Sequence, residues 1–280
     1  MNTLKQLIVI ITALASLQAV PVMAASGDTA TLPSWQVLEF EEKAFWATAH
    51  SRIELLPDEE NMEFWLLDVT SSVVGNSETV AVVFEPETGQ VLSRSRLSKG
   101  KGHRMKRYEY QENTVVRERR NGGDYPEMAP ADWPVSSRKN VALPATAKDN
   151  VITSPYPLLV LAQRLLTSDE KQAIEVLVHT DLNIYRVRLS SGNGIPLDVN
   201  YLQDKERVQG RRETRAVAIQ ANPEGALNDD EDFNLLGLES DILLFFDKAS
   251  LLPLQVTGKA PRIGDTSIKL KSVILRQPSA

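Results

Sequence analysis

Short apolar runs punctuated by turn residues succeed one another along most of the chain. Residues 63–69 (EFWLLDV) and 77–84 (SETVAVVF) are rich in aromatic and branched side chains, and each is bounded by Gly, Asn, Ser or Pro. Residues 90–97, 104–111 and 114–120 continue the series. The turns Glu85-Pro86-Glu87-Thr88-Gly89, SKGKG at 98–102 and Glu112-Asn113 separate them, and Asn121-Gly122-Gly123 ends the last. Strands recurring at about 8–12 residues and joined by turns predict an antiparallel meander. A second series follows at 173–179, 184–189, 197–202 and 211–220, with turns at Thr180-Asp181, Ser191-Gly192-Asn193-Gly194 and Gln209-Gly210. Strands at 242–246, 254–257 and 267–275 finish the chain.

Three segments break this rhythm. Residues 35–56 fit two patterns: Phe45, Ala47, Ala49, Ile53 and Leu55 share one side of a strand, whereas Val37, Leu38, Phe40, Ala44 and Phe45 suit a helix. A strand is favoured after Ala44, and the earlier part stays open. Residues 125–150 carry Pro126, Pro130, Pro134 and Pro144 without a sustained period, which predicts a long irregular connection. Leu158, Leu159, Leu161, Ala162, Leu165 and Leu166 repeat at helical spacing behind Ser154 and Pro157, which mark a helix start. The predicted fold class is mainly β: a large curved antiparallel sheet, as an open half-barrel or two-sheet meander, with one packed α-helix. Residues 25–280 read as one β-rich domain, with sub-lobes 35–124 and 151–276 joined by the Pro-rich 125–150 as the alternative division.

Ahead of this domain, residues 1–24 read as a signal peptide. Lys5 lies in a short polar start, residues 7–17 (LIVIITALASL) are apolar, and Val22-Met23-Ala24 offers a small-residue cleavage site after the helix-breaking Pro21. The apolar run is too short for a spanning helix of about 20 residues. No later segment approaches that length, so no transmembrane segment is expected in the mature chain. There is no Cys anywhere, which excludes thiol catalysis, a lipid-bearing N-terminal Cys and Cys-based zinc sites. The leader and the disulfide-free chain suit a bacterial periplasm.

Composition adds one asymmetry. The formal charge of −6, −7 without Lys5, argues against nucleic acid as a partner. Yet residues 91–120 hold ten bases against Glu109, Glu112 and Glu118. Alternate residues of a strand share a face. Arg94 and Arg96 therefore lie together, as do Arg104 and Lys106 with Tyr108 and Tyr110, and Arg117 with Arg119. As hairpin neighbours they line one face, a candidate binding surface for an anionic head group, a lipid phosphate or an acidic protein. The bland reading is the charged outer face of a half-buried sheet. Trp46, Phe64, Trp65, Phe84, Phe245 and Phe246 read as core.

Catalytic and cofactor patterns give nothing to assign. His50, His103 and His179 form no close pair and read as exposed strand-end residues, so no metal site is expected. Asn228, Asp229, Asp230, Glu231 and Asp232 gather oxygens but lack the spacing of a calcium loop. No GxSxG elbow occurs, and Lys99-Gly100-Lys101-Gly102 lies between strands, where a phosphate-binding loop does not form. No cofactor is expected.

Two passages resemble a known group. Phe245-Phe246-Asp247, the step Leu251-Leu252-Pro253-Leu254-Gln255-Val256-Thr257-Gly258, then Ile263-Gly264 and Ser267-Ile268-Lys269-Leu270 form one. The helix from Tyr156 to Leu166, leading into strands at Ile174 and Ile184, forms the other. Together they resemble an uncharacterised family of exported bacterial β proteins, similar in architecture to the periplasmic lipoprotein carriers. The resemblance implies an open, strongly curved sheet wrapped around apolar side chains and a helix, and an exported location. It implies no active residues. The expected function is a periplasmic, non-enzymatic protein that binds an apolar or amphipathic partner, a lipid or lipidated protein. The alternative is an envelope assembly factor docking an acidic partner on the basic strands, and a hydrolase of unrecognised type ranks third.

Overall fold

The computed structural model describes residues 32–44, 47–61, 63–100, 102–123, 127–168, 172–228 and 233–277. The expected signal peptide, Trp46 and the acidic residues Asp229, Asp230, Glu231 and Asp232 lie outside them.

The first half is a continuous meander: β1 (Trp35–Ala44), β2 (Ala47–Pro57), β3 (Trp65–Val73), β4 (Asn76–Phe84), β5 (Val91–Lys99), β6 (Arg104–Gln111), β7 (Thr114–Asn121) and β8 (Val135–Ala142). The two-residue β9 (Ile152–Thr153) and α1 (Leu158–Thr167) come next, followed by β10 (Ala173–His179) and β11 (Ile184–Asn193). Then come β12 (Leu197–Gln203), β13 (Glu206–Arg212), β14 (Thr214–Pro223), β15 (Ser240–Asp247), β16 (Pro253–Ala260) and β17 (Gly264–Leu275). Hydrogen-bonded neighbours run β8-β7-β6-β5-β4-β3-β2-β1-β17-β16-β15-β14-β11-β10-β9. The β12–β13 hairpin stands outside that row and touches β17 through the pairs Leu202↔Ser272 and Gln203↔Val273. The β9–β10 and β12–β17 contacts are parallel and the other pairings antiparallel, so the sheet is mixed. It is large and unclosed, with one helix against it, as the strand pattern predicts.

Three segments differ from expectation. Residues 35–44 are strand, paired on both sides by β2 and β17; apolar positions on both faces, Val37 and Leu38, are buried there, which is why a helical spacing fitted. The connection 125–150 is not structureless: it contains β8, a strand bonded on one side only, whose polar and mostly exposed residues show no alternation. The expected strand 211–220 divides into β13 and β14, and the hairpin turn lies at Asp204-Lys205, both with positive φ, rather than at Gln209-Gly210.

Inward-facing residues form rungs across the first meander. Leu55, Leu67, Val82, Arg94, Tyr108 and Arg117 are successive cross-strand partners, and so are Ile53, Val69, Val80, Arg96, Lys106 and Arg119. Along each rung the side chains change from aliphatic on β2–β4 to cationic on β5–β7. The aliphatic part joins a single core with Trp35, Phe40, Phe246 and α1. Eight of the ten α1 residues are buried, and the polar Gln163, Arg164 and Thr167 share one side, so the helix packs a broad apolar face into the core. Its one buried amide is satisfied: Trp35 Nε1 donates to Gln163 Oε1 at 2.9 Å.

The cationic limb does something else. β10 is buried on both faces: Val176 and Val178 enter the main core, while Leu177 packs with Tyr108, Val115, Val141 and Ile152 in a second cluster. The limb β6–β8 therefore laps over the outer face of β10, and the unclosed sheet rolls up like a scroll, with side chains packed at the overlap.

Candidate functional site

The overlap is held by a buried polar cluster. The loop after His179 turns into β11 with Thr180 N donating to Asn183 O, which places Asp181 under the limb. Lys106 Nζ donates to Asp181 Oδ2 at 2.5 Å, Arg117 Nη1 to the same oxygen at 3.0 Å, and the Tyr108 hydroxyl to Oδ1 at 2.5 Å. Arg94 grips the backbone of the same loop, donating from Nη1 to His179 O at 2.7 Å and from Nη2 to Thr180 O. Its guanidinium also lies 3.9 Å from the Tyr108 ring centre. Arg94, Lys106, Tyr108, Arg117, His179 and Asp181 are all buried.

Burial, followed by the nearby Asp181 carboxylate, holds the Tyr108 phenol well above the usual tyrosine range. Burial lifts the Tyr110 phenol too. His179 is held neutral, its imidazolium suppressed by burial and then by Arg94. The Tyr110 hydroxyl lies 3.2 Å from His179 Nδ1, while His179 Nε2 and Arg117 Nε have no hydrogen-bond partner among the described residues.

The eight basic and tyrosyl positions singled out in the sequence thus share the inner face, and parity placed them correctly relative to one another. Their surroundings divide them. Arg94, Lys106, Tyr108 and Arg117 surround the Asp181 loop, and Tyr110 covers His179. Arg96 Nε donates to Glu78 Oε2 at 2.6 Å. Arg119, half-buried, donates to Asn121, and burial followed by repulsion from Arg104 and Arg117 pulls its guanidinium below the ordinary range. Arg104 is exposed. His179 is a core residue rather than an exposed one, and His103 stacks on the buried Trp133. Phe84, Phe245 and Phe246 are buried as expected, with Phe64 and Trp65 half-buried. What sequence reading missed is Asp181, which lies 75 residues from Lys106; the only local signal was a carboxylate in a strand-end turn.

Beside this cluster lie two adjoining hollows. A chamber of about 240 Å³ is bounded by Arg94, Arg96, Thr180, Asp181 and Glu239. It adjoins a cleft of about 600 Å³ at the open end of the scroll, and Glu78, Tyr156 and Asn234 line both. The strand-side wall of the cleft is the next rung outward: Ser51, Ser71, Glu78 and Ser98 are successive cross-strand partners. Ser51 Oγ and Ser71 Oγ lie 3.0 Å apart, and Ser98 Oγ donates to Glu78 Oε2 at 3.3 Å. Leu236, Ala260, Pro261 and Ile263 also line the cleft.

Fold and site together describe an open, barrel-like β protein, its interior filled by a helix and its mouth cleft open. No protein-family model matches the sequence, and no curated protein matches it. Among solved structures the chain is similar to the crystal structure of a β-barrel-like protein of a domain of unknown function from Brucella abortus. The identity is 9%, the TM-score 0.44, and the match covers 88% of this chain and 99% of that one.

Proposed function

We propose that this is an exported, non-enzymatic binding protein that takes an amphipathic ligand, a lipid or the lipid of a lipidated protein, in the mouth cleft. The observation that carries the reading is the cleft itself. At about 600 Å³ it falls within the span of small-molecule sites, about 300–1,000 Å³, and its lining holds apolar residues as well as the serine and glutamate rung. The interior behind it is occupied by α1, so the ligand lies at the mouth rather than inside the scroll. Export rests on the leader pattern of residues 1–24. No described helix is long and apolar enough to cross a membrane. Docking of an acidic partner on the basic strands is the weaker reading, since Arg94, Lys106 and Arg117 are buried and engaged.

The test is mass spectrometry of protein purified from the periplasm without detergent, beside an Ala49→Trp variant, whose indole enters the cleft. The expected result is a co-purifying amphiphile on the wild type and none on the variant, with both chains beginning at residue 25. Wild-type protein that is free of ligand and takes up no fluorescent acyl probe ends the proposal.

A further inference from the structure

The polar wall of the cleft specifies what kind of head group an amphiphile must carry. Ser51, Ser71 and Ser98 offer hydroxyls that both donate and accept, and they flank the carboxylate of Glu78 on one rung. A bare hydrocarbon chain laid there would strip these groups of water without replacing its hydrogen bonds, which is costly. The head, not the tail, belongs on that wall. The tail belongs on the apolar part of the lining, Leu236, Pro261 and Ile263.

Charge narrows the head further. The described residues lining chamber and cleft include four cations, Arg94, Arg96, Lys99 and Arg104, and four acids, Glu42, Glu78, Asp181 and Glu239. The sign is balanced and finely interleaved. At Glu78 the pairing is direct, with Arg96 Nε at 2.6 Å. A phosphate or carboxylate gains from one neighbour what it loses to the next, and an ammonium does the same. A neutral head dense in hydroxyls suits the wall, because each of its O–H groups can donate to Glu78 or exchange bonds with a serine. A sugar ring also presents an apolar C–H face, which can lie against Tyr156, a lining residue of both hollows.

We infer that the cleft seats a neutral, polyhydroxylated head, the glycosyl part of a glycolipid or a free saccharide, on the Ser51–Ser71–Glu78–Ser98 rung. This rests on the proposed amphiphile-binding role and deepens it. Calorimetry with four probes below their micellar concentrations tests it: octyl glucoside, octanoate, octyltrimethylammonium and methyl glucoside.

Octyl glucoside should bind at least about tenfold more tightly than either charged probe. Ser71→Ala or Ser98→Ala should each weaken octyl glucoside by up to about tenfold, the worth of one hydrogen bond, while leaving octanoate unchanged. Two variants guard against one that folds poorly. Methyl glucoside binding as tightly as octyl glucoside supports the polyol seat and makes a free saccharide the source. Octanoate or octyltrimethylammonium binding as well as octyl glucoside overturns the head-group inference and leaves the amphiphile reading standing. Failure of all three octyl probes removes that reading, and if methyl glucoside fails as well the head-group inference falls with it.

Discussion

Replacing Asp181 by Asn keeps the shape of the side chain and removes its charge. In the folded protein that carboxylate accepts from Lys106, Tyr108 and Arg117 at 2.5–3.0 Å, and all four residues are buried. Taking one partner from a buried ion pair costs about 3–5 kcal/mol, because the remaining charge stays desolvated. The lost bonds overlap, so their separate values do not add. Against a typical domain stability of about 5–15 kcal/mol the loss is a large fraction. At about 2–4 °C per kcal/mol for a chain of this size, the melting temperature should fall by about 6–20 °C. The double variant Lys106→Met with Asp181→Asn also removes the stranded ammonium and should recover part of that loss. Differential scanning calorimetry of wild type, Asp181→Asn, Lys106→Met and the double variant closes the cycle. If Asp181→Asn melts within about 3 °C of wild type, a loss near 1 kcal/mol, the cluster is hydrated in solution and the scroll is not held there.

Other outcomes follow from single positions. His179 is held neutral in the fold, whereas the unfolded chain takes up a proton near pH ~6.5. Stability should therefore fall as pH drops below that value, by up to ~1.4 kcal/mol per unit; urea titrations at pH 7.5 and 5.5 should show a shallower fall in His179→Gln, and equal slopes would mean a hydrated imidazole. Val74 and Gly75 form a two-residue hairpin turn, both with positive φ, where a branched side chain is strained and Asn-Gly preferred. Val74→Asn should therefore raise stability by about 1 kcal/mol, part of the strain of a left-handed non-glycine residue, and a lower melting temperature would refute this. A Cβ at Gly122 would stand 2.2 Å from the Trp133 ring, so Gly122→Ala should cost about 1–3 kcal/mol and disturb Trp133 fluorescence.

Some of this architecture can be read directly from the chain. Residues 77–84 alternate because β4 has one face in the core and the other half-exposed, so the period-two signal survives. β8 and β13 are mostly exposed and bonded on one side, and with no buried face to alternate against they look like loops. The basic strands show the opposite difficulty. Parity grouped Arg94, Lys106, Tyr108 and Arg117 correctly, but which face turns inward depends on a carboxylate contributed far along the chain. The serine rung was invisible for a related reason. Ser51, Ser71 and Ser98 are unremarkable one at a time, and only the strand register lines them up.

The pairing of β1 with β17 has a consequence for how the chain could be rewired. Ser34 O accepts from Arg276 N at 2.8 Å, so a short linker can join the two ends of the described fold. The row of strands is interrupted only where the polypeptide crosses from β8 to β9. A circular permutant opened near residue 144 would start at one margin of the scroll and finish at the other. Apart from the β12–β13 hairpin, it would lay its strands down in spatial order, so no pairing would have to wait for the final strand to emerge. Such a permutant should refold faster than the natural order, since loop closure over the whole chain is what slows non-local sheets.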